Sequence, residues 1–339
     1  MYKVSIIMPV YNCEEYLTDS LESIVNQSIG VENLEVIMVD DASSDGTGRI
    51  IDEYADRYSG FKAIHLEKNV GAAYGPRNIA LRQATSEYVM FLDGDDTFEP
   101  EACEVLYDEI SQSSADMVFG RYYRVYDDLK LESYSPYSES DNDIKINPRF
   151  SGIMGFFWSN VVYKLLYGRA KPCGGRVVID DVRDRPEILK ILPSIWTRIV
   201  RKSSIGEFPA LITGEDLNFV LDVYNHGEII FLNDKFVTDY YMRFDGDLSI
   251  TKNVKFQLVL DSIRAYRVAV EKCNAYGFKG YSKMINPFLL NYVNLLRQAE
   301  FSQSEMEALL DEVNLIDRQY ENRGVVGYLL VKLIKFLSK

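Results

Sequence analysis

Over its first 120 residues the chain alternates short β-branched runs with segments of helical period, a pattern that restricts it to a largely parallel sheet faced by helices. Val4 to Val10 predicts a first strand, and Leu17, Leu21, Ile24 and Val25 recur at helical spacing behind it. Leu34 to Val39 predicts a second, followed by a polar turn over 40–47 suited to capping a helix that carries Ile50, Ile51 and Tyr54. Phe61 to Leu66, Tyr88 to Leu92 and Asp116 to Phe119 add three more strands, with Ala102, Val105, Leu106 and Ile110 lining a helix before the last. Ligands in such sheets bind beyond the carboxyl ends of the strands. Four polar loops fall there: Tyr11-Asn12, Asp40-Asp41, Asn69-Val70-Gly71 and Asp93-Gly94-Asp95.

The fourth strand ends in three carboxylates around one glycine, Asp93-Gly94-Asp95-Asp96. Carboxylates this close repel one another unless a divalent cation neutralises them. Mg²⁺ or Mn²⁺ held by one or two carboxylates completes its shell with water and phosphate oxygens. A solvated acidic turn before the next helix, entered at Glu99-Pro100-Glu101, explains the same residues equally well when they are taken alone.

The 339 residues are 47% hydrophobic, enough for a large core and against a disordered chain. A net charge of −14 argues against nucleic acid as a partner, because phosphate backbones demand clustered Lys and Arg. Cys13, Cys103, Cys173 and Cys273 are scattered, without the paired spacing of a zinc site. They read as buried thiols in a reducing compartment. Met1-Tyr2-Lys3 leads directly into a strand, so neither a signal peptide nor a membrane span is expected there, and a cytoplasmic location follows.

Six motifs stand in order: Met8-Pro9-Val10-Tyr11-Asn12, Val39-Asp40-Asp41-Ala42-Ser43-Ser44-Asp45-Gly46-Thr47, Asn69-Val70-Gly71, Pro76-Arg77-Asn78, Phe91-Leu92-Asp93-Gly94-Asp95-Asp96 and Gly214-Glu215-Asp216. Together they resemble the inverting family 2 glycosyltransferases, closely over 1–120 and more loosely over about 190–252. Asn69-Val70-Gly71 with Gly75-Pro76-Arg77-Asn78 is most similar to bacterial enzymes that decorate wall teichoic acids or build surface polysaccharides. The resemblance implies a GT-A fold: an α/β domain with a mixed, mainly parallel sheet flanked by helices. It implies a nucleotide-sugar-binding half over 1–120, a variable insertion over 121–192 and an acceptor half over 193–252, within a domain of 1–252. From about residue 253 onward the helical period dominates, which predicts a C-terminal helical appendage over 253–339.

On that resemblance, Pro9 and Tyr11 flank the base of a UDP-sugar donor, and Asp41 accepts the uracil N–H. Asn69 lets the backbone approach the ligand. Arg77, just inside a helix start, brings five donors to the diphosphate or a base carbonyl. Asp93 orients the ribose or sugar, and Asp95 holds Mn²⁺ or Mg²⁺ as the leaving-group Lewis acid. Asp216 is the general base toward an acceptor hydroxyl, with Glu215 beside it raising its pKa or touching the acceptor. Related enzymes carry a histidine that completes metal or diphosphate binding. This chain has Asp247 there, an oxygen ligand suited to a hard cation, with Arg243 beside the diphosphate. His65 and His226 are assigned to structure or surface.

Ile195 to Val200 looks helical, and Trp196 is either a core residue, the favoured reading, or a platform for an acceptor sugar. Ser302-Gln303-Ser304-Glu305 predicts a capping box. The apolar, lysine-bearing stretch 325–339 is too short to span a membrane comfortably. It is either an in-plane helix on an anionic membrane surface, slightly favoured, or a helix packed on protein. The expected function is transfer of a hexosyl or N-acetylhexosaminyl group from a UDP-sugar to a hydroxyl of a glycan, glycopolymer or lipid-linked acceptor, at the inner face of the membrane. Homo-oligomer formation stays open. Nucleotidyl transfer is the alternative chemistry, although the glycine-rich basic loop it needs is missing after the first strand. A non-catalytic sugar-nucleotide-binding or assembly module is the other alternative.

Overall fold

The computed structural model describes residues 1–126, 129–133, 175–185, 188–189, 194–241, 256–278, 301–319 and 332. Its first half follows the predicted alternation. Strand β1 (Val4–Val10) leads to helix α1 (Glu14–Val25), β2 (Leu34–Asp40) to α2 (Thr47–Arg57), β3 (Phe61–His65) to α3 (Tyr74–Gln83), and β4 (Tyr88–Phe91) ends in the acidic loop. All of β2 and β4 is buried, as expected of central strands covered on both faces. A two-residue strand, β5 (Thr97–Phe98), precedes α4 (Ala102–Ser111) and the long β6 (Met117–Tyr126).

The sheet runs β3-β2-β1-β4 in parallel. It then turns antiparallel at β9 (Arg198–Arg201), which pairs with both β4 and β6. Beyond β6 lies the parallel β10 (Ile229–Tyr241), with β5 antiparallel at its far side. Strand β7 (Leu129–Glu132) pairs with β6, and β8 (Arg176–Ile179) pairs with β10. The sequence 195–200 is therefore not a helix. Ile195–Thr197 makes a single 3₁₀ turn, and the following residues pair with the edges that β4 and β6 present. Tertiary pairing overrides the local period there.

Helix α5 (Glu215–His226) starts at Gly214, whose φ of 77° is left-handed. A Cβ at Gly214 would stand 2.6 Å from Ala265 Cβ of helix α6 (Phe256–Tyr276), so the glycine serves both the turn and the close approach. Val259, Ile263, Ala269 and Val270 of α6 share one hydrophobic core with Phe91, Phe119 and Phe231 of the sheet. Leu309 and Val313 of helix α7 (Gln303–Gln319) join the same core. The capping box is formed: Ser302 N–H donates to Glu305 Oε2 at 2.8 Å, and Glu305 N–H reaches back to Ser302 Oγ at 3.4 Å. No helix among the described residues is long and apolar enough to cross a membrane. The stretch 325–339 lies outside the described residues apart from Lys332, as does most of 121–192 beyond residue 133.

One fully buried carboxylate ties the parallel strands together. Glu35 receives Ser5 Oγ at 2.6 Å, Lys62 Nζ at 2.6 Å and the Thr85 amide at 2.7 Å. Burial opposes its charge, yet these donors hold its pKa below the usual glutamate value.

Candidate active site

The loops at the carboxyl ends of β1 and β2 are stitched to each other by side chains. Asn12 takes a positive φ of 46° and Ala42 one of 60°. Asn12 N–H donates to Ser43 Oγ at 3.0 Å, and its Oδ1 accepts the Ser44 amide at 2.8 Å. Asp40, at the end of β2, accepts the Ser43 amide at 2.9 Å and meets His65 Nδ1 at 3.2 Å, while His65 Nε2 meets Asp52 at 2.9 Å. The hydrogen bond to Asp52 heads the causes that raise the His65 pKa, so this histidine braces the loop.

Asp41 is 5% exposed and spends its carboxylate on the third loop, accepting the Val70 amide at 2.7 Å and the Gly71 amide at 3.3 Å. Asn69 Nδ2 donates to the Asp41 carbonyl at 3.0 Å. Burial, with Asp40 adjacent, pushes the Asp41 pKa up despite the two amides. Tyr11 and Val70 are exposed on either side of this junction, and Pro9 is half-buried at the end of β1.

Arg77 joins three carboxylates. Its guanidinium, 3% exposed, places Nη2 2.8 Å from Asp93 Oδ1 and Nη1 2.8 Å from Glu215 Oε1 and 3.0 Å from Asp216 Oδ1. The next residue fixes its setting. Asn78 clamps the Phe208 backbone through both amide atoms, at 3.0 and 2.7 Å, and the Phe208 ring centroid lies 5.6 Å from the Arg77 guanidinium carbon. Burial disfavours the Arg77 charge, but three carboxylates raise its pKa above the ordinary arginine value. One cation against three carboxylates leaves the cluster negative. Burial and the Asp216 charge push Glu215 up to about 7, and burial raises Asp216 as well. The two acids titrate as a pair.

The acidic turn divides its work. Asp93 faces Arg77, and Asp96, 1% exposed, accepts the Tyr241 amide at 3.0 Å. Asp95 is partly exposed on the same turn. Tyr240 was not anticipated from the sequence. Burial first, then the charges of Asp96 and Asp95, raise its phenol pKa, placing it against the acidic turn. Trp196 stacks on Tyr240 at 4.9 Å and is 5% exposed, so it is a core residue that walls this side rather than an open platform. Arg198 was also missed. It lies buried with its guanidinium carbon 4.2 Å from the Phe119 ring centroid, its charge felt by Asp216. Nothing in a run of Ile, Trp and Thr signals that destination.

Asp93, Arg77, Glu215 and Asp216 are thus brought together, and Asp41 and Asn69 form a separate cluster at the neighbouring strand ends. Arg243 and Asp247 lie outside the described residues. Among the described residues no three His, Cys, Asp or Glu side chains converge to hold a metal ion. A hard cation that draws most of its shell from phosphate and water needs only one or two carboxylates, and the all-oxygen donor set of this turn fits that demand.

Residues 5–165 match the family described as Glycosyl transferase family 2. The chain is 34% identical over 125 residues to glycosyltransferase GlyG of Streptococcus pneumoniae, covering 37% of this chain and 40% of that protein. It is 42% identical over 101 residues to the poly(ribitol-phosphate) beta-N-acetylglucosaminyltransferase TarS of Staphylococcus aureus, covering 30% of this chain and 18% of that one. The matched segments thus span less than half the length of either relative. The crystal structure of S. aureus TarS 1-349 in complex with UDP-GlcNAc superimposes with a TM-score of 0.64 at 20% identity, covering 100% of this chain and 90% of that one. That likeness establishes the GT-A fold.

Proposed function

From the match of residues 5–165 to the family described as Glycosyl transferase family 2, we propose that the chain moves a sugar from a UDP-sugar to a hydroxyl of a cell-surface glycopolymer, with inversion at the anomeric carbon. The observation that carries the reading is the Arg77 bridge. One guanidinium spans Asp93 on the donor side and the Glu215-Asp216 pair on the acceptor side. A donor phosphate and an acceptor hydroxyl must meet within such a span for in-line displacement.

The acceptor oxygen attacks the anomeric carbon from the face opposite the diphosphate. Its O–H proton passes to the Asp216 carboxylate, and the bond from the anomeric carbon to the phosphate oxygen breaks, its electron pair leaving on UDP. Asp216 is favoured over Glu215 because its side chain is 24% exposed against 11% and so faces the substrate space. A base whose pKa is lifted by burial accepts a proton more readily than an ordinary aspartate does. Arg77 keeps that carboxylate oriented, and Asp93 turns toward the ribose or sugar. Asp95, assisted by Asp247, would hold the Mn²⁺ or Mg²⁺ whose Lewis acidity supports departure of UDP. Pro9, Tyr11, Asp41 and Asn69 frame the uracil, and Arg243 attends the diphosphate.

The printed activities of the poly(ribitol-phosphate) relatives support a polyol-phosphate or polysaccharide acceptor and a glucosyl or N-acetylglucosaminyl donor. The stretch 325–339 would rest on an anionic membrane surface beside the acceptor. Calorimetric titration with UDP, GDP, CDP and dTDP, each with Mn²⁺ and with EDTA, tests the donor half. Tight binding of UDP alone, lost with EDTA, is expected; binding of another nucleotide or of none contradicts the reading.

A further inference from the structure

Helix α1 carries a line of polar side chains directed at the loop that follows β4. Ser20 and Ser23 stand at i and i+3 on one face of α1, and Gln27 follows just past its last residue, Val25. Each grips a successive stretch of that loop. Ser20 Oγ donates to the Gly94 carbonyl at 3.0 Å, and Ser23 Oγ accepts the Phe98 amide at 3.1 Å. Gln27 Nε2 donates to the Glu99 carbonyl at 2.9 Å, while its Oε1 accepts the Cys103 amide at 2.9 Å.

The first of these bonds falls inside the acidic turn itself. Gly94 is the residue between Asp93 and Asp95, and it is fenced on its other side. A Cβ there would stand 2.8 Å from Cys13 Sγ and 3.1 Å from Val10 Cγ1. Ser20 is 1% exposed, and its contact with its own helix at the Tyr16 carbonyl is the longer one, 3.4 Å. A mid-helix serine ordinarily bonds the preceding turn. Here the hydroxyl serves the loop instead.

We propose that Ser20 is a positioning residue for the donor site: its hydroxyl fixes the Gly94 peptide, so that Asp93 stays on Arg77 and Asp95 stays presented to the diphosphate and its divalent cation. This inference rests on the glycosyl-transfer reading above. Without the hydroxyl, the buried Gly94 carbonyl loses its donor, and the peptide rotates to recover one. The two carboxylates flanking that peptide move with it. Outer partners of metal ligands affect metal affinity by about 10–100-fold when removed. Ser23 is the matched control, a hydroxyl on the same helix face that donates to the Ser20 backbone carbonyl at 2.7 Å and accepts the Phe98 amide, beyond the carboxylates.

The test is calorimetric titration of wild type, Ser20→Ala and Ser23→Ala with Mn²⁺ at saturating UDP, alongside urea midpoints. Ser20→Ala is expected to bind Mn²⁺ about tenfold more weakly, whereas Ser23→Ala keeps the wild-type affinity with a comparable shift of its midpoint. Unchanged affinity in Ser20→Ala, or equal losses in both variants, overturns the proposal. Should Ser20→Ala not fold, Ser20→Cys retains a small side chain with a weak donor, and an intermediate affinity is expected; wild-type affinity there overturns it. A folded wild type that binds no UDP with Mn²⁺ is a different outcome. It refutes the glycosyl-transfer reading and this inference with it.

Discussion

Arg77 Nη1 stands 3.0 Å from Asp216 Oδ1, joining two residues 139 positions apart in the chain. The bond joins the helix after β3, within the segment that matches the family, to the first turn of α5, which carries the proposed base. On the proposed mechanism, donor and acceptor chemistry share one cation.

Replacing Arg77 with Met should cost stability on the order of 3 kcal/mol near pH 8, because three carboxylates then face one another without their cation. The loss shrinks as pH falls, since Glu215 and Asp216 already have raised pKa values and take up protons. In the variant these values rise further, so folded protein binds more protons than unfolded protein and stability increases toward low pH. Urea midpoints of wild type and variant at pH 6 and pH 8 check the sign. A penalty that is equal at both values would contradict it.

The acid limb of the rate profile reports the ionisation of the base. Burial, with Asp93 adding its charge, raises Asp216, so transfer should fall off on the acid side well above the ordinary aspartate value, not near it. Asp93→Asn removes a negative neighbour and should move that limb to lower pH, even as the overall rate drops. A limb that stays in place would show that Asp93 does not couple to the base.

Gly214→Ala should destabilise the protein by about 2 kcal/mol or more. A side chain at φ 77° is strained by about 1–2 kcal/mol, and its Cβ would meet Ala265 Cβ at 2.6 Å. Adding Ala265→Gly should restore the contact part of the loss and leave the backbone part. Thermal unfolding of the two single variants and the double variant separates the terms through a mutant cycle. Transfer should fall with Gly214→Ala, because Glu215 and Asp216 follow it directly.

The parallel half of the sheet was legible because central strands buried on both faces must be short and continuously apolar. The predicted Val4–Val10 and the observed β1 share both ends, and β2 to β4 differ from expectation by one residue at most. What failed were elements defined by partners distant in sequence. The two residues of β5 form a strand only against β10, and β9 exists because β4 and β6 leave edges for it.

The candidate site divides in the same way. Loops at strand ends revealed Asp41, Asp93 and Asp95, and the family resemblance pointed to Asp216, but neither told where each side chain is spent. Asp41 turns to the amides of Val70 and Gly71, and Arg77 turns to carboxylates up to 139 residues away. Ser20, Arg198 and Tyr240 carry no local signal, since each acts through a neighbour that only the fold supplies.

The central claim is that Asp216 takes the proton of the acceptor hydroxyl, and the most direct test is Asp216→Asn, comparing single-turnover transfer with UDP affinity. The substitution keeps the shape and an oxygen for Arg77 but removes the basicity. The account predicts a fall in transfer of at least about a thousandfold, as expected when the base of a proton transfer is lost, with UDP affinity and the urea midpoint close to wild type. Transfer retained within about tenfold, on a folded variant that binds UDP, would assign the base elsewhere and contradict the mechanism.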